Sequence, residues 1–232
     1  MATVILVRHG RSSANTGGVL AGRSAGVKLD ETGHQQAKDA AARLAPVRLA
    51  RIVTSPLERC RQTARAIAGE HPDVPVSTER GVIECDYGDW TGRTIRDLAK
   101  EALWKTVQSQ PSAAAFPGGE SLPAMMARAT AAVRRVDAEV SAEHGEDATW
   151  VVVSHGDIIK SLLADALGMH LDLFQRIQVD PASISIIRYT PTRPFVLGQN
   201  THAGDLSWLN APDRKQRPHP GDAVVGGGAG PQ

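Results

Sequence analysis

Two histidines in this chain occur in nearly the same short phrase, although about 146 residues separate them (155 minus 9). One phrase is Arg8-His9-Gly10 and the other is Ser154-His155-Gly156, each directly after an apolar run. An uncharged imidazole, with an ordinary pKa of about 6.5, is a nucleophile near neutral pH. Nearby arginines disfavour the charged imidazole and supply forked donors that match phosphoryl oxygens. These residue types predict a site where a histidine accepts a phosphoryl group.

The elements that must position these histidines are short strands. Residues 4–7, 51–54 and 150–153 are apolar, β-branched runs without alternation, which is typical of buried parallel strands. Parallel strands end at one edge of a sheet, where open α/β sheets bind ligands. If these strands are neighbours, His9 and His155 face each other, and the third strand leads to Arg59. Gly10 and Gly156 are expected to let the backbone turn sharply and approach a ligand closely.

Helical patterns separate the strands, and they complete the predicted fold. Helices are expected at 30–44, from 55 to about 68, over a stretch carrying Leu122 to Val140, and at 157–167. Ser55, followed by Pro56 and Glu58, has the form of a capping box at the second helix. We predict an α/β fold, a three-layer sandwich with a mainly parallel sheet and helices on both faces. Further strands are expected at 74–77, at 183–189 as an edge strand, and at 195–197.

One stretch departs from this alternation. Residues 85–119 are predicted to form a small helical cap insertion, with one helical piece at about 91–107. Glu84 lies where this cap begins, and a carboxyl group beneath a cap can hold its proton near neutrality. Glu84 is therefore the candidate proton donor, with Asp86 as its substitute. We expect a single domain over 1–211 and a disordered Gly/Pro-rich tail over 212–232.

Composition excludes several classes of partner. The 232 residues carry a formal net charge of +1, so no overall field favours nucleic acid or an acidic membrane. The apolar run at 4–7 is too short for a membrane span and lacks the basic stretch of a signal peptide.

Cys60 and Cys85 match no metal or redox spacing, which favours a reducing, cytoplasmic location. We expect no metal or cofactor, because fixed cations can stabilise a transferring phosphoryl group. A homodimer through the strand at 183–189 is left open.

The phrase around His9, with Asn15 downstream, resembles the signature of the histidine phosphatase superfamily, also called phosphoglycerate-mutase-like. Further matches follow in family order over roughly residues 3–189: Gly22-Arg23, 29–33 with Gln36, 54–64, Glu84 with 88–92, 117–121 and 153–156. The resemblance implies His9 as the phosphohistidine nucleophile and Glu84 as the proton donor. It also implies Arg8, Asn15, Arg59 and His155 as phosphate ligands, with Gly22 and Gly156 at the substrate site.

This superfamily contains both phosphatases and mutases. Its mutases resemble one another in a basic residue after the acid glutamate, arginines in the cap, and an asparagine after the second HG. Here Cys85 and Asp157 occupy those two positions, and the cap has no Arg-Arg pair. The sequence therefore favours a metal-independent phosphomonoesterase acting on a small phosphorylated metabolite. A cofactor-dependent phosphoglycerate mutase and a non-catalytic binder of phosphorylated ligands are the alternatives.

Two minor questions stay open at this level. Arg11 follows the first histidine phrase, where it either extends the anion site or is simply solvated. Cys60 and Cys85 each adjoin a candidate site residue. They form either a redox switch or a pair of buried, inert thiols.

Overall fold

The computed structural model describes residues 1–202 and, beyond them, residues 204, 206 and 210. The expected tail at 212–232 lies outside the described residues. The strands of the described part are β1 Thr3–Arg8, β2 Leu49–Thr54, β3 Val76–Thr78, β4 Thr149–Ser154, β5 Ile184–Arg188 and β6 Phe195–Thr201. Its α-helices are α1 Ser13–Thr16, α2 Glu31–Leu44, α3 Glu58–Gly69, α4 Ile95–Leu98, α5 Ala102–Ser109, α6 Leu122–His144 and α7 Gly156–Ala166. Short 3-10 turns occur at Arg80–Val82, Gly88–Trp90, Pro111–Ala113 and Leu171–Arg176.

The strands form one mixed sheet in the order β3-β2-β4-β1-β5-β6. The neighbours from β3 to β1 are parallel, whereas β5 is antiparallel to β1 and β6 is antiparallel to β5. The predicted mainly parallel sheet is thus confirmed. The register pairs Arg8 with Ser154, so the chain leaves both strands at the same level of the sheet.

Side chains of β1 alternate between two buried layers. Val4 and Leu6 belong to a cluster with Val133 of α6 and other residues of α6 and α7. Ile5 and Val7 belong to a second cluster, which includes residues of α2 and α3. Because both faces of the sheet are covered, its central strands are apolar throughout rather than alternating. The fold is therefore the predicted three-layer α/β sandwich.

The prediction that residues 183–189 form an edge strand is wrong. β5 lies between β1 and β6 and pairs with both, so it cannot pair with a second copy of the chain. Its alternation of serines and isoleucines does not mark an exposed face, because Ser183 and Ser185 are buried as fully as Ile184. The partner that covers it, β6, is longer than the run expected at 195–197. The edges of the described sheet are β3 and β6.

The predicted capping box at Ser55 is also wrong. Helix α3 begins at Glu58, and Leu57 is its N-cap residue, with no side-chain hydrogen bond to the helix. The Ser55 hydroxyl instead forms a hydrogen bond with the imidazole of His155, 100 residues away in the sequence. Three residues therefore separate the end of β2 from α3.

The cap holds two short helices instead of the single one expected at about 91–107. Glu101 has extended backbone (φ −73°, ψ 143°) between α4 and α5. This break turns α5 so that Trp104 stacks on the buried Trp90, with ring centroids 6.2 Å apart. Trp90 packs in the same buried cluster as residues of the sheet and α7, so the cap shares the main core. No helix in the described part of the chain is long and apolar enough to cross a membrane.

A buried carboxylate on α6 holds the first strand in place. Asp137 is fully buried and accepts hydrogen bonds from the Ala2 backbone N–H at 3.0 Å and from the Trp150 indole N–H at 3.1 Å. Asp137→Ala leaves both buried donors unpaired, so the free energy of unfolding should fall by about 2–4 kcal/mol. Chemical denaturation measures this loss.

The matched control changes an acidic residue near the same strand. Glu146 is exposed and lies 3.6 Å from the Met1 amino group, a contact that solvent screens. Glu146→Ala should change the free energy of unfolding by no more than about 0.5 kcal/mol. Equal losses in the two variants would contradict the role given to Asp137.

Candidate active site

The two histidine phrases meet at the carboxyl edge of the sheet. β1 and β4 are hydrogen-bonded neighbours, and the His9 backbone N–H bonds the Ser154 carbonyl at 3.0 Å. The His9 and His155 rings lie edge to face, with centroids 5.3 Å apart. The expectation that they face each other is confirmed.

Arg59 places a positive charge between the two rings. It comes from the first turn of α3 and is only 2% exposed. Its Nε donates to His9 Nε2 at 3.2 Å, and its Nη2 donates to His155 Nδ1 at 3.1 Å. Nη2 also donates to the Gly22 carbonyl at 2.9 Å, while Nη1 is buried without a hydrogen-bond partner. The guanidinium thus fixes both imidazoles and keeps one donor group free for an anion.

The hydrogen bonds of His9 define its tautomer. Nδ1 lies 2.7 Å from the Gly10 carbonyl oxygen, which can only accept, so Nδ1 carries the hydrogen. Nε2 accepts from Arg59 and therefore holds a lone pair directed into the site. Burial, followed by the charges of Arg59 and Arg8, holds the pKa of His9 well below the ordinary value of 6.5. His9 is consequently an uncharged nucleophile over the physiological pH range.

His155 is the second neutral imidazole, and it lies beneath the surface of the site. It is fully buried, its Nδ1 accepts from Arg59, and its Nε2 therefore donates to the Ser55 hydroxyl at 2.7 Å. Burial and the Arg59 charge hold the pKa of His155 well below 6.5. From this position, His155 orients the Arg59 guanidinium through the hydrogen bond to Nδ1.

Arg8 provides the second cation. Its Nη1 donates to the Val179 carbonyl at 2.7 Å, and its Nε is buried without a partner. Arg8 Nε and Arg59 Nη1 are thus two buried, unsatisfied donor groups at one site. Buried polar groups are normally satisfied, so this pair indicates a place for an oxyanion.

These groups open into a cleft of about 340 Å³. All the predicted site residues line it except His155. The sequence-predicted residues on its wall are Arg8, His9, Asn15, Gly22, Arg59, Glu84 and Gly156. The other lining residues are Ser12, Ala14, Gly18, Val19, Leu20, Ala21, Tyr87, Ile95, Asp157, Lys160, Gln178 and Val179.

Asn15 and Gly22 contribute in different ways. The Asn15 side-chain oxygen accepts from the backbone N–H and the hydroxyl of Ser12, at 3.0 and 2.9 Å. That arrangement leaves the Asn15 NH₂ group to donate to an anion. Gly22 has φ +49°, a conformation that favours glycine, and its carbonyl anchors Arg59. Gly22 therefore acts on the site through the guanidinium as well as by lining the cleft.

Gly10 is required for a reason other than the expected one. A Cβ at this position would collide with the carbonyl oxygen of Gly33 at the start of α2. The close approach is therefore between two protein segments rather than between backbone and ligand.

Arg11 packs at the same junction, where Nε donates to Asp30 at 2.7 Å and Nη2 to Thr32 at 2.7 Å. Arg11 does not line the cleft, so it neither extends the anion site nor is simply solvated.

Glu84 brings a carboxyl group to the cleft wall. Its side chain is 12% exposed; Oε1 accepts the Cys85 backbone N–H at 3.0 Å, and Oε2 lies 3.8 Å from His155 Nδ1. Burial, and next the negative charge of Asp157, raise the pKa of Glu84 to about 7. A carboxyl group that keeps its proton near neutrality can act as a general acid. The substitute, Asp86, bonds Arg23 at 3.0 Å and does not line the cleft.

Two arginines and a carboxylate hold the chain around Glu84. The Glu84 carbonyl accepts from Arg23 Nε at 2.9 Å and from Arg128 Nη2 at 3.1 Å. Both guanidiniums bond Glu120 Oε1, at 3.0 and 2.6 Å, and that oxygen also accepts the Asp86 backbone N–H at 2.8 Å. Multiple charge-assisted bonds of this kind fix the backbone that carries the carboxyl group. The role of Arg128 carried no sequence signal, because 44 residues separate it from Glu84.

Sequence reasoning also missed a pair at the outer part of the cleft. The Tyr87 hydroxyl donates to Asp157 Oδ2 at 2.7 Å, and both residues line the wall. The position of Asp157, directly after Gly156, was a usable signal for its presence here. Tyr87 gave none, because its partner lies 70 residues away.

The two cysteines lie deep in the protein. Both are free and fully buried. Burial raises the pKa of Cys60 to about 12 and also raises the pKa of Cys85. Protonated, inaccessible thiols are poor nucleophiles, so this environment favours inert thiols over a redox switch.

The charge of Asp157 can be tested for its effect on Glu84. Asp157→Asn removes a nearby negative charge, so the pKa of Glu84 should fall below its value of about 7. Carbon-13 NMR of the Glu84 carboxyl group, titrated in both proteins, measures this directly. An unchanged titration midpoint would contradict the coupling between the two carboxyl groups.

Comparison with known proteins agrees with this geometry. Residues 4–202 match the family described as histidine phosphatase superfamily (branch 1). Phosphoserine phosphatase 1 of Hydrogenobacter thermophilus is 34% identical over 214 residues, covering 89% of this chain and 96% of that protein. A probable phosphoglycerate mutase, GpmB of an Enterobacter species, is 30% identical over 222 residues, covering 94% of this chain and all of that protein.

A solved structure shows the same fold. Bacillus stearothermophilus YhfR superimposes with a TM-score of 0.78 at 27% identity, covering 90% of this chain and 100% of that chain. The family match spans both histidine phrases and the cap between them. The chain therefore belongs to the histidine phosphatase superfamily and is a phosphohydrolase.

Proposed function

We propose that this chain is a metal-independent phosphomonoesterase that hydrolyses a small phosphorylated metabolite through a phosphohistidine on His9. One observation carries the proposal: the His9 Nε2 lone pair lies beside two arginines, Arg8 and Arg59, that each keep a buried donor group without a partner. A nucleophile and an oxyanion site thus occupy the same end of the cleft. The fixed charges of Arg8 and Arg59 supply the electrostatic stabilisation that phosphoryl transfer needs.

The first step transfers the phosphoryl group to the protein. The lone pair of His9 Nε2 forms a bond to phosphorus, while the bond from phosphorus to the leaving oxygen breaks. That oxygen keeps the bonding electrons and takes the proton from Glu84. Arg59 Nε, which bonds Nε2 in the free site, turns to a phosphoryl oxygen as substrate binds.

The second step returns the enzyme to its starting state. Glu84, now a carboxylate, takes a proton from water as the water oxygen attacks phosphorus. The bond from Nε2 to phosphorus breaks and its electrons return to Nε2, releasing inorganic phosphate. A single carboxyl group serves both steps, first as acid and then as base.

Water is favoured as acceptor because the cap adds no cation to the cleft wall. Of residues 85–119, the lining residues are Tyr87 and Ile95. The cap cations Arg93 and Lys100 pair instead with Glu101 and Asp97. A mutase must retain a carboxylated, doubly phosphorylated intermediate, for which additional cations are needed. The relative named phosphoserine phosphatase, similar over nearly its whole length, also supports hydrolysis.

We further propose a cytoplasmic location. Cys60 and Cys85 are both free thiols, which suits a reducing compartment.

Aryl phosphate hydrolysis in the presence of a chelator tests the chemistry. Wild-type activity should persist, and His9→Ala should lower kcat by about 10³-fold or more, because the variant lacks the imidazole that would accept the phosphoryl group. Glu84→Gln should lower kcat for alkyl phosphates by about 10²–10⁴-fold. Its effect should be smaller for p-nitrophenyl phosphate, whose leaving group needs little protonation.

His34→Ala is the matched control, because His34 is an exposed histidine that does not line the cleft. It should retain wild-type activity. Full turnover by His9→Ala, or complete loss of activity with chelator, would refute the mechanism. Efficient exchange between the two monophosphoglycerates, with bisphosphoglycerate as primer, would instead identify a mutase.

A further inference from the structure

Beyond the phosphate-binding groups, the cleft has two unlike walls. One wall carries Asp157 and Lys160, which are three residues apart on α7 and so share one helix face. Gln178 adds an amide to the cleft lining. The lining residues of the segment 14–21 other than Asn15, together with Ile95 of the cap, are small or apolar: Ala14, Gly18, Val19, Leu20, Ala21 and Ile95. The leaving group of a bound phosphate ester would lie between these walls.

Asp157 is held firmly in this position. Its Oδ2 accepts from the hydroxyl of Tyr87, a residue that is only 5% exposed. Its Oδ1 has a longer contact, at 3.7 Å, with Lys160 Nζ. The carboxylate is therefore a fixed acceptor with one oxygen still open to a hydroxyl donor.

Lys160 is also partly engaged. Its Nζ bonds Gln175 Oε1 at 3.1 Å and lies 5.8 Å from the centre of the Phe174 ring. With Asp157 nearby, the formal charges on this wall cancel. A leaving group bound here thus meets donors and acceptors on α7, and α7 itself adds no net positive charge.

These contacts determine which leaving groups fit. A hydroxyl can donate to Asp157 Oδ1 while another accepts from Lys160, at no electrostatic penalty. A carboxylate on the leaving group would face the fixed Asp157 charge, and Lys160 is already shared between that carboxylate and Gln175. Repulsion between two carboxylates at this distance weakens the binding of a carboxylated leaving group relative to a neutral one.

We propose that Asp157, held by Tyr87, forms with Lys160 a leaving-group subsite that binds neutral polyhydroxy alcohols and selects against carboxylates. Asp157 is the specificity-determining residue of this subsite. The inference rests on the proposed phosphomonoesterase function and names its substrate class.

Two substrates with the same three-carbon skeleton test this selection. Glycerol 3-phosphate ends in a neutral alcohol, whereas 3-phosphoglycerate ends in a carboxylate. Wild-type kcat/KM should favour the neutral compound by about tenfold or more. Both compounds are also titrated as competitors of aryl phosphate hydrolysis, so that inhibition constants give the ratio even if turnover is slow.

Substitutions of Asp157 and Lys160 test whether these residues cause the preference for the neutral substrate. Asp157→Asn should reduce the preference by about tenfold, and Lys160→Gln should widen it, because a leaving-group carboxylate then loses one nearby positive charge. Lys105→Gln, an exposed cap residue outside the cleft, should leave the ratio unchanged. Each protein is assayed at its own pH optimum, since Asp157 also influences Glu84.

The outcomes separate this inference from the proposed function. A ratio near one, or a preference for the carboxylate, would overturn the subsite while His9-dependent aryl phosphate turnover persists. An unchanged ratio in Asp157→Asn would overturn the role of Asp157. Absence of aryl phosphate turnover in the wild-type enzyme would instead overturn the proposed function itself.

Discussion

The buried guanidinium of Arg59 is the interaction on which the rest of the site depends. A charge with 2% exposure loses its hydration, and the protein must replace that hydration with well-placed acceptors. Two imidazole nitrogens and the Gly22 carbonyl do so on two of its three nitrogens. The third, Nη1, is buried without a hydrogen-bond partner, which favours an anion at this position. Burial, and next the same charge, hold the pKa of both imidazoles well below 6.5, which would suit His9 to act as a nucleophile.

Much of the surrounding architecture serves to hold this charge and the carboxyl group opposite it. The left-handed turn at Gly22 directs a carbonyl at Arg59, and the next residue, Arg23, bonds the Glu84 carbonyl. Glu120 links Arg23 to Arg128, which also bonds the chain around Glu84. Arg59 and the candidate proton donor are thus joined through one short loop. Residues from separate sequence motifs thus contact one another at the site.

The sequence predicted those features that depend on chain direction and local pattern. Parallel strands ending in Arg8-His9-Gly10 and Ser154-His155-Gly156 place both histidines at one edge, and the structure has them there. The errors arose where a tertiary contact competes with a local pattern. Ser55 has the local form of a helix cap, yet it bonds an imidazole 100 residues away. Such long-range partners leave no periodicity in the sequence.

Long-range contacts also made the edge strand of the sheet and the outer part of the cleft harder to predict from the sequence. The register of β6 shifts against β5, and Asn200 adopts φ +51° within it, so the usual alternation of a paired strand is interrupted. The contact of Tyr87 with Asp157 joins the cap to α7 across 70 residues. Neither feature could be read from neighbouring residues. The residues at the strand ends were therefore predictable, whereas the contact of Tyr87 with Asp157 in the outer cleft was not.

The proposed chemistry requires that His9 is an uncharged imidazole with its lone pair on Nε2. Nitrogen-15 NMR of the histidine side chains, with His9 assigned from the spectrum of a His9→Ala variant, measures both properties across a pH titration. The structure predicts a hydrogen on Nδ1, bonded to the Gly10 carbonyl, and no protonation through the ordinary histidine range near pH 6.5. A hydrogen on Nε2, or protonation of His9 with a midpoint near 6.5, would contradict the account.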